Sequence, residues 1–174
     1  MNITIRPEQG SDDTAIYELI AKAFQNKIHS DHDKQNLVNV LCKSSVYIPE
    51  LTLVAMGEGS QLVGNILLTR ATIEGKLSSL ALAPVSVQLE CQRREIGSML
   101  IREAHQRTVA LGYGFIILMG HKEYYPCFGY KPLSAFNIRL PFEVSEEFCM
   151  VMELMLDALE NVNGVVIYSK AFNS

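Results

Sequence analysis

The spacing of apolar residues is helical early in the chain and strand-like later. Ile3 and Ile5 alternate with polar neighbours ahead of Pro7, which predicts a short strand. The strand should end at Pro7, because proline has no backbone N–H to donate to the neighbouring strand. Apolar residues at helical spacing then predict a first helix, capped by Ser11 or Asp12. Its inner face is expected to contain Ile16, Leu19, Ile20, Ala23 and Phe24.

A second helix is expected soon after the first. Ser30 is placed to cap a turn that contains Asp31 and Asp33. Three apolar residues are expected to face inward from this helix: Leu37, Val40 and Leu41. Both helices would then precede most of the strands.

The apolar period changes to two from Leu51 onward. Three strand-like runs follow: LTLVAM at 51–56, QLVGNILLTRATI at 61–73 and LSSLALAPVSVQ at 77–88. The connections between them are Gly57-Glu58-Gly59 and Glu74-Gly75-Lys76, which are typical hairpin turns. The pattern predicts a meander of three antiparallel strands.

A helix and a buried strand follow the meander. The helix would present Ile96, Met99, Leu100, Ala104 and Leu111, and would stop at Gly112. The apolar run GFIILMG at 114–120 is typical of a strand between two neighbours. Because strand, helix and strand in succession form a right-handed crossover, this strand should lie parallel to its predecessor.

The remaining sequence is expected to finish the same sheet. EYYPCFGY at 123–130 favours a short helix or turn with Pro126 near its start. FCMVMELML at 148–156 and GVVIYSKAF at 164–172 favour strands, joined by the polar DALENVNG segment. The prediction is an α/β domain with a mixed sheet that is antiparallel first and parallel in the middle.

Length and charge limit the functional classes. At 174 residues the chain fits one domain, 1–174, with a sizeable core. The net charge is -4 and no basic run could neutralise a row of phosphates, so nucleic acid is not an expected partner. The longest clean apolar run, Phe115 to Met119, is too short to span a bilayer, so we expect a cytoplasmic protein without membrane contact.

The cysteines do not suggest a metal site. Cys42, Cys91, Cys127 and Cys149 are widely separated and have no CxxC pairing or histidine neighbours at zinc spacing. We therefore expect reduced thiols, mostly buried, and no bound metal.

A polar stretch lies at the joint between the third meander strand and the next helix. Free backbone N–H groups and the positive end of the helix dipole attract phosphate or carboxylate there. Arg93 and Arg94 add positive charge, and Gly97 would let a ligand approach closely. The alternative interpretation is a solvated helix start with one packing glycine.

A second polar group follows the buried strand. His121, Glu123, Tyr124 and Tyr125 would lie at the carboxyl end of the parallel pair, where open α/β sheets bind ligands. Both groups should therefore meet at one cleft.

Three motifs resemble one enzyme family. LALAPVSV, QRREIG and GHKEYYPCFGY are similar to the GNAT superfamily of N-acetyltransferases, in particular its YhbS-like branch. The resemblance also includes IRPE, PELTLVA, VGNILLT and VVIYSKAF, so it covers nearly the whole chain, with the core motifs at about 51–132. It implies the α+β type of GNAT fold: a mixed, mostly antiparallel sheet, with a central parallel pair splayed around an acetyl-CoA cleft and helices on both faces.

The resemblance also implies a cosubstrate site for acetyl-CoA. Val85, Ser86 and Val87 would offer backbone hydrogen bonds to the pantetheine arm and the thioester. The diphosphate would be held, mainly by main-chain amides, at Gln92, Arg93, Arg94, Glu95, Ile96, Gly97 and Ser98.

The same resemblance suggests catalytic residues. Tyr125 matches the tyrosine that commonly protonates the departing thiolate, and its alternative role is aromatic packing. His121 is a candidate for the base that an ammonium acceptor requires, and its alternative role is structural or shapes the substrate site. Tyr124 and Phe128 are expected to pack, and Cys127 to be a bystander thiol.

Two positions depart from the family pattern. Glu95 replaces one of two expected glycines, and if its backbone needs a positive φ it costs about 1 kcal/mol in strain. Its carboxylate could also occupy the helix N–H groups that a phosphate would use. Asn65 stands where relatives often have histidine, which would alter the acceptor pocket.

The resemblance implies two candidate functions. The first is transfer of an acetyl group from acetyl-CoA to an amine of a small molecule or protein, by direct attack in a ternary complex. The alternative is a GNAT-fold binding or regulatory protein with weakened CoA binding and little turnover. The tail strand leaves an edge through which a homodimer could form.

Overall fold

The structure is a computed structural model that describes residues 1–28, 32–74 and 77–173. It contains the helices α1 (Asp13–Phe24), α2 (Lys34–Cys42) and α3 (Ile96–Ala110). The strands are β1 (Thr4–Pro7), β2 (Tyr47–Met56), β3 (Leu62–Ile73), β4 (Leu77–Val87), β5 (Phe115–Met119), β6 (Lys131–Pro132), β7 (Asn137–Arg139), β8 (Cys149–Glu153) and β9 (Asn163–Ile167). The cap expected at Ser30 and the centre of the turn expected at 74–76 lie outside the described residues.

The sheet has the mixed topology that the sequence predicts. Its path is β1-β2-β3-β4-β5-β8-β6, and β9 pairs with both β3 and β7. Strands β1 to β4 are joined by antiparallel pairs, whereas β4 and β5 run parallel. The mostly antiparallel sheet with a central parallel pair is therefore confirmed.

Helices cover both faces of this sheet. Leu53 and Ala55 of β2 pack in a cluster with buried residues of α3, whereas Val54 packs with α1 and α2. Successive strand residues point to opposite faces, so α3 lies on one side and the α1–α2 pair on the other. The start of α3 lies beside the end of β4, where Gly97 approaches the side chains of Val85 and Val87.

The start of α1 is held by an ion pair rather than by a side-chain cap. Asp12 precedes the helix, but its carboxylate pairs with the Arg6 guanidinium at 2.7 Å and accepts a hydrogen bond from the Gln9 N–H. The hydrogen bond and charge of Arg6 lower the pKa of Asp12. The expected cap at Asp12 is therefore replaced by a bond that ties β1 to the helix start.

Two helix faces differ from the sequence prediction. Val40 is 40% exposed, and Val38 is buried instead, because α2 is oriented by Val38 and Leu41, one turn apart. Leu111 follows the end of α3 and is exposed, whereas Ile101, which was not expected inside, is buried.

The C-terminal strands are shorter than predicted. β8 ends at Glu153 and β9 at Ile167, and the chain then forms a short 3₁₀ turn at Lys170–Asn173. The brief strands β6 and β7 were not expected, because two or three residues show no alternation.

Acid should destabilise the contact between α3 and the segment after Phe128. His105 Nε2 lies 3.0 Å from the Tyr130 hydroxyl, and burial lowers the pKa of His105 from 6.5 to about 4. The unfolded chain therefore binds more protons than the folded chain between pH 4 and pH 6.5. The contribution of neutral His105 to the free energy of unfolding is present above pH 6.5 and is lost as the pH falls toward 4. We expect the melting temperature to fall more steeply over this window in the native chain than in His105→Gln. Parallel pH profiles of the two proteins would contradict this.

Candidate active site

A cleft opens where β4 leaves β5. The two strands pair only between Leu80–Leu82 and Ile116–Leu118. Beyond Leu82 the register of β4 against β3 shifts by a bulge, and Val85 resumes the pairing with β3. From Val85 onward, β4 is paired on one edge and open on the edge that faces the continuation of β5.

The open edge presents main-chain groups of Val85 and Val87. The Gln88 N–H donates to Val63 O at 2.9 Å, which makes residues 88 and 63 a bonded pair. Bonded and non-bonded residues alternate along an antiparallel ladder, so Ser86 directs its amide toward Asn65 on β3. Val85 and Val87 then direct their main-chain N–H and C=O groups toward the cleft, where a pantetheine arm could bind these groups.

The connection from β4 to α3 has two left-handed residues. Arg93 has φ 61° and Glu95 has φ 62°, and Glu95 is the residue before the first turn of α3. Glu95 therefore has the positive φ that strains a residue with a Cβ atom. Its side chain makes no capping hydrogen bond, so it leaves the N–H groups of this turn available. A glycine would adopt this conformation without the Cβ penalty.

The other predicted diphosphate ligands surround this turn. Gln92, Arg93 and Arg94 are exposed, and Gln92 Nε2 donates to Val87 O at 3.3 Å. Ile96 is 1% exposed and faces the core, so only its main chain faces the loop. Gly97 and Ser98 are partly buried in the first turn of α3. The open helix N-terminus and two exposed arginines therefore give this turn positive charge, which favours an anion.

Gly97 is the point where three segments meet. A Cβ atom added there would lie 2.9 Å from the Tyr124 hydroxyl, and 3.8 and 3.9 Å from the side chains of Val87 and Val85. The sequence suggested that Gly97 leaves room for a ligand, but the structure shows that Tyr124 already uses part of that room. The strand end, the helix start and the tyrosine segment therefore form one site.

Tyr125 is held firmly at the start of a short 3₁₀ turn, Tyr125–Phe128, that follows β5. Its side chain is 9% exposed, and its ring lies against Gly120, where an added Cβ would be 2.2 Å from the ring. Tyr124 and Tyr130 contact it edge to face, with ring centroids at 5.1 and 5.6 Å. Burial raises the pKa of the Tyr125 phenol well above its ordinary value. The phenol is therefore protonated at neutral pH and can act as a proton donor.

His121 and Glu123 lie on the exposed side of the same turn. The His121 carbonyl accepts hydrogen bonds from the N–H groups of Tyr124 and Tyr125, at 3.1 and 3.4 Å. The His121 main chain thus positions both tyrosines, while its imidazole faces solvent. The Cys127 thiol donates to the Tyr124 carbonyl and is also exposed.

The opposite side of β4 contains buried polar groups that the sequence did not identify as a set. Asn65 is fully buried, and its Nδ2 donates to Leu53 O at 3.3 Å, which orients the amide. Among the described residues, Asn65 Oδ1 and the Ser86 hydroxyl have no hydrogen-bond partner. The two residues face each other across β3 and β4. They lie beneath α1, away from the Gly97 side.

The described residues line two cavities besides the open edge of β4. One of about 370 Å³ is lined by Arg94, Ile96, Met99 and the first three residues, beside the start of α3. Another of about 230 Å³ lies between α1, α2 and Tyr47, on the opposite face of the sheet. Within the described ranges, no group of three or more His, Cys, Asp or Glu side chains could hold a metal ion. The described helices are also too short or too polar to cross a membrane.

The sequence is similar to curated bacterial acetyltransferases. It is 33% identical over 149 residues to the uncharacterized N-acetyltransferase YjhQ of Escherichia coli K12, covering 82% of this chain and 79% of YjhQ. It is 26% identical over 124 residues to the uncharacterized N-acetyltransferase YhbS of the same strain, covering 71% of this chain and 74% of YhbS. No protein-family model matches the chain.

Solved structures agree with the sequence comparisons. The E. coli GNAT family N-acetyltransferase YhbS, crystallised with CoA, superposes with a TM-score of 0.92 over 100% of this chain and 93% of that chain, at 23% identity. A GNAT family acetyltransferase from Brucella melitensis, in complex with acetyl-CoA, gives a TM-score of 0.81 at 26% identity, covering 98% of each chain. The chain belongs to the GNAT family of N-acetyltransferases.

Replacing Glu95 with glycine should raise both the free energy of unfolding and the affinity for acetyl-CoA. Relief of the left-handed strain is worth about 1 kcal/mol, reduced by the greater freedom of glycine in the unfolded chain. Removing a carboxylate near a diphosphate should strengthen acetyl-CoA binding about tenfold or more, because each 1.4 kcal/mol is a factor of about ten. Thermal melts and calorimetric titrations would measure the two effects.

Glu95→Gln is the matched control for this change, because it removes the charge and keeps the left-handed side chain. We expect Glu95→Gln to improve binding without the gain in stability. If Glu95→Gly binds acetyl-CoA no better than the native chain, the loop has accommodated the carboxylate at no cost.

Proposed function

We propose that this chain is an acyl-CoA-dependent N-acetyltransferase that acts as one domain over residues 1–174. The convergence at Gly97 supports this proposal most directly, because it brings together the open edge of β4, the first turn of α3 and the tyrosine pair. Acetyl-CoA would supply the activated acetyl group. The acceptor would be an amine of a small molecule or of a protein, bound at the same time.

Different segments of the chain would bind different parts of acetyl-CoA. The amides in the first turn of α3, with Arg93 and Arg94, would hold the diphosphate through fixed dipoles and charges. The main-chain groups of Val85 and Val87 would hold the extended arm along the cleft, as in a short strand addition. These contacts would bring the reacting carbonyl close to the buried Tyr125 ring.

Tyr125 would serve as the general acid. Its ring packs against Gly120 and Tyr124 in the same core cluster as α3, and its hydroxyl would donate to a ligand atom in the cleft. The fixed ring would hold the proton in one place and reduce the reorganisation needed during transfer. His121, exposed beside it, would deprotonate the acceptor ammonium, directly or through water.

An acetylation screen tests this proposal. Purified protein with acetyl-CoA would be incubated with primary amines, polyamines and peptides with free N-termini, while release of the CoA thiol is followed. Amine-dependent thiol release is the expected result. Binding of acetyl-CoA without turnover on any amine would instead support the binding or regulatory role. Cytoplasmic location and homodimer formation stay predictions.

A further inference from the structure

Tyr124 has the environment of a ligand-binding group and not only of a packing residue. Its side chain is 37% exposed, whereas the neighbouring Tyr125 is 9% exposed. Its hydroxyl lies at Gly97, in the first turn of α3, where the backbone N–H groups are open. The polar end of the side chain therefore points at the anion site.

The ring of Tyr124 is fixed from two sides. Tyr125 contacts it edge to face at 5.1 Å and Phe128 at 5.3 Å, with interplanar angles of 77° and 73°. The guanidinium of Arg102 lies 5.8 Å from the Phe128 ring centroid and adds positive charge nearby. A fixed ring loses little conformational entropy when its hydroxyl binds a ligand.

The hydroxyl is a donor at any pH near neutrality. Burial raises the pKa of Tyr124, and a hydrogen bond with the Ser98 side chain opposes this effect only in part. The hydroxyl can accept from Ser98 and still donate a hydrogen bond to a ligand. A neutral phenol beside a helix N-terminus can donate a hydrogen bond to an anion without adding charge.

We propose that the Tyr124 hydroxyl donates a hydrogen bond to the diphosphate of CoA at the start of α3. This role rests on the proposed function, because it assumes that CoA binds in this cleft. It also gives Gly97 a second purpose: any side chain there would displace the Tyr124 hydroxyl from the helix start.

The test is calorimetric titration of CoA into the native chain and into Tyr124→Phe. A hydrogen bond to a charged group is worth about tenfold to a hundredfold in binding, so the dissociation constant should rise by that factor. Pantetheine lacks the diphosphate, and its weaker binding, measured at millimolar concentration, should not change. Tyr113→Phe is the matched control, because its hydroxyl contacts Arg70 beyond the far end of α3.

Three results are informative. Weaker binding of CoA alone by Tyr124→Phe, with an unchanged melting temperature of the free protein, supports the role. Equal CoA affinity of native chain and variant, or an equal loss for pantetheine, overturns it and leaves the proposed function intact. Failure of the native chain to bind CoA at all overturns both.

Discussion

Tyr125→Phe should lower kcat for acetyl transfer by about a hundredfold to ten-thousandfold, the usual contribution of a positioned general acid. The Michaelis constant for acetyl-CoA should hardly change, because the proton is needed in the transition state and not in the bound complex. The variant keeps the ring that packs against Gly120 and Tyr130, so its stability should remain close to that of the native chain.

Steady-state kinetics with the best amine from the acetylation screen would measure this effect. Tyr17→Phe is a suitable control, because its hydroxyl bonds to Asn36 on the surface of the α1–α2 pair. An unchanged kcat in Tyr125→Phe would remove Tyr125 from the mechanism.

Gly120→Ala should damage both stability and catalysis. The added Cβ would lie 2.2 Å from the Tyr125 ring, a distance that requires the ring or the backbone to move. Overpacking of this kind costs about 1–3 kcal/mol. Because the displaced ring is the one that holds the catalytic proton, kcat should fall by nearly as much as in Tyr125→Phe.

A double-mutant cycle separates the two consequences. If Gly120→Ala acts through Tyr125, adding Tyr125→Phe should lower kcat little further. Gly10→Ala is the matched control, since no atom lies within 4 Å of a Cβ at that position. Native stability and native kcat in Gly120→Ala would show that the Tyr125 ring is not constrained as described.

Much of the fold was predictable, because long alternating or helical patterns determine it. The meander of β2 to β4 and the crossover through α3 follow from period and connectivity, and both are confirmed. The face of α2 was predicted incorrectly at Val40, because a nine-residue helix with few apolar residues allows more than one inward orientation. Packing against the sheet selects Val38.

The sequence predicts which segments form the candidate site, but it does not predict their backbone conformation or their contacts. The motif letters indicate that Glu95 replaces a glycine, yet only the backbone shows that this position is left-handed. The role of Gly97 was predicted from its missing side chain, whereas the Tyr124 hydroxyl beside it comes from a segment 27 residues away in sequence. No local pattern specifies a contact of that kind.

The most direct test of the central claim is calorimetric titration of the native chain with acetyl-CoA. The open edge of β4 and the free N–H groups at the start of α3 predict saturable binding at one site per chain. The heat should be lost when CoA already fills the cleft. The absence of binding at millimolar acetyl-CoA would contradict the account, because the cleft would then be closed to the ligand that it is proposed to hold.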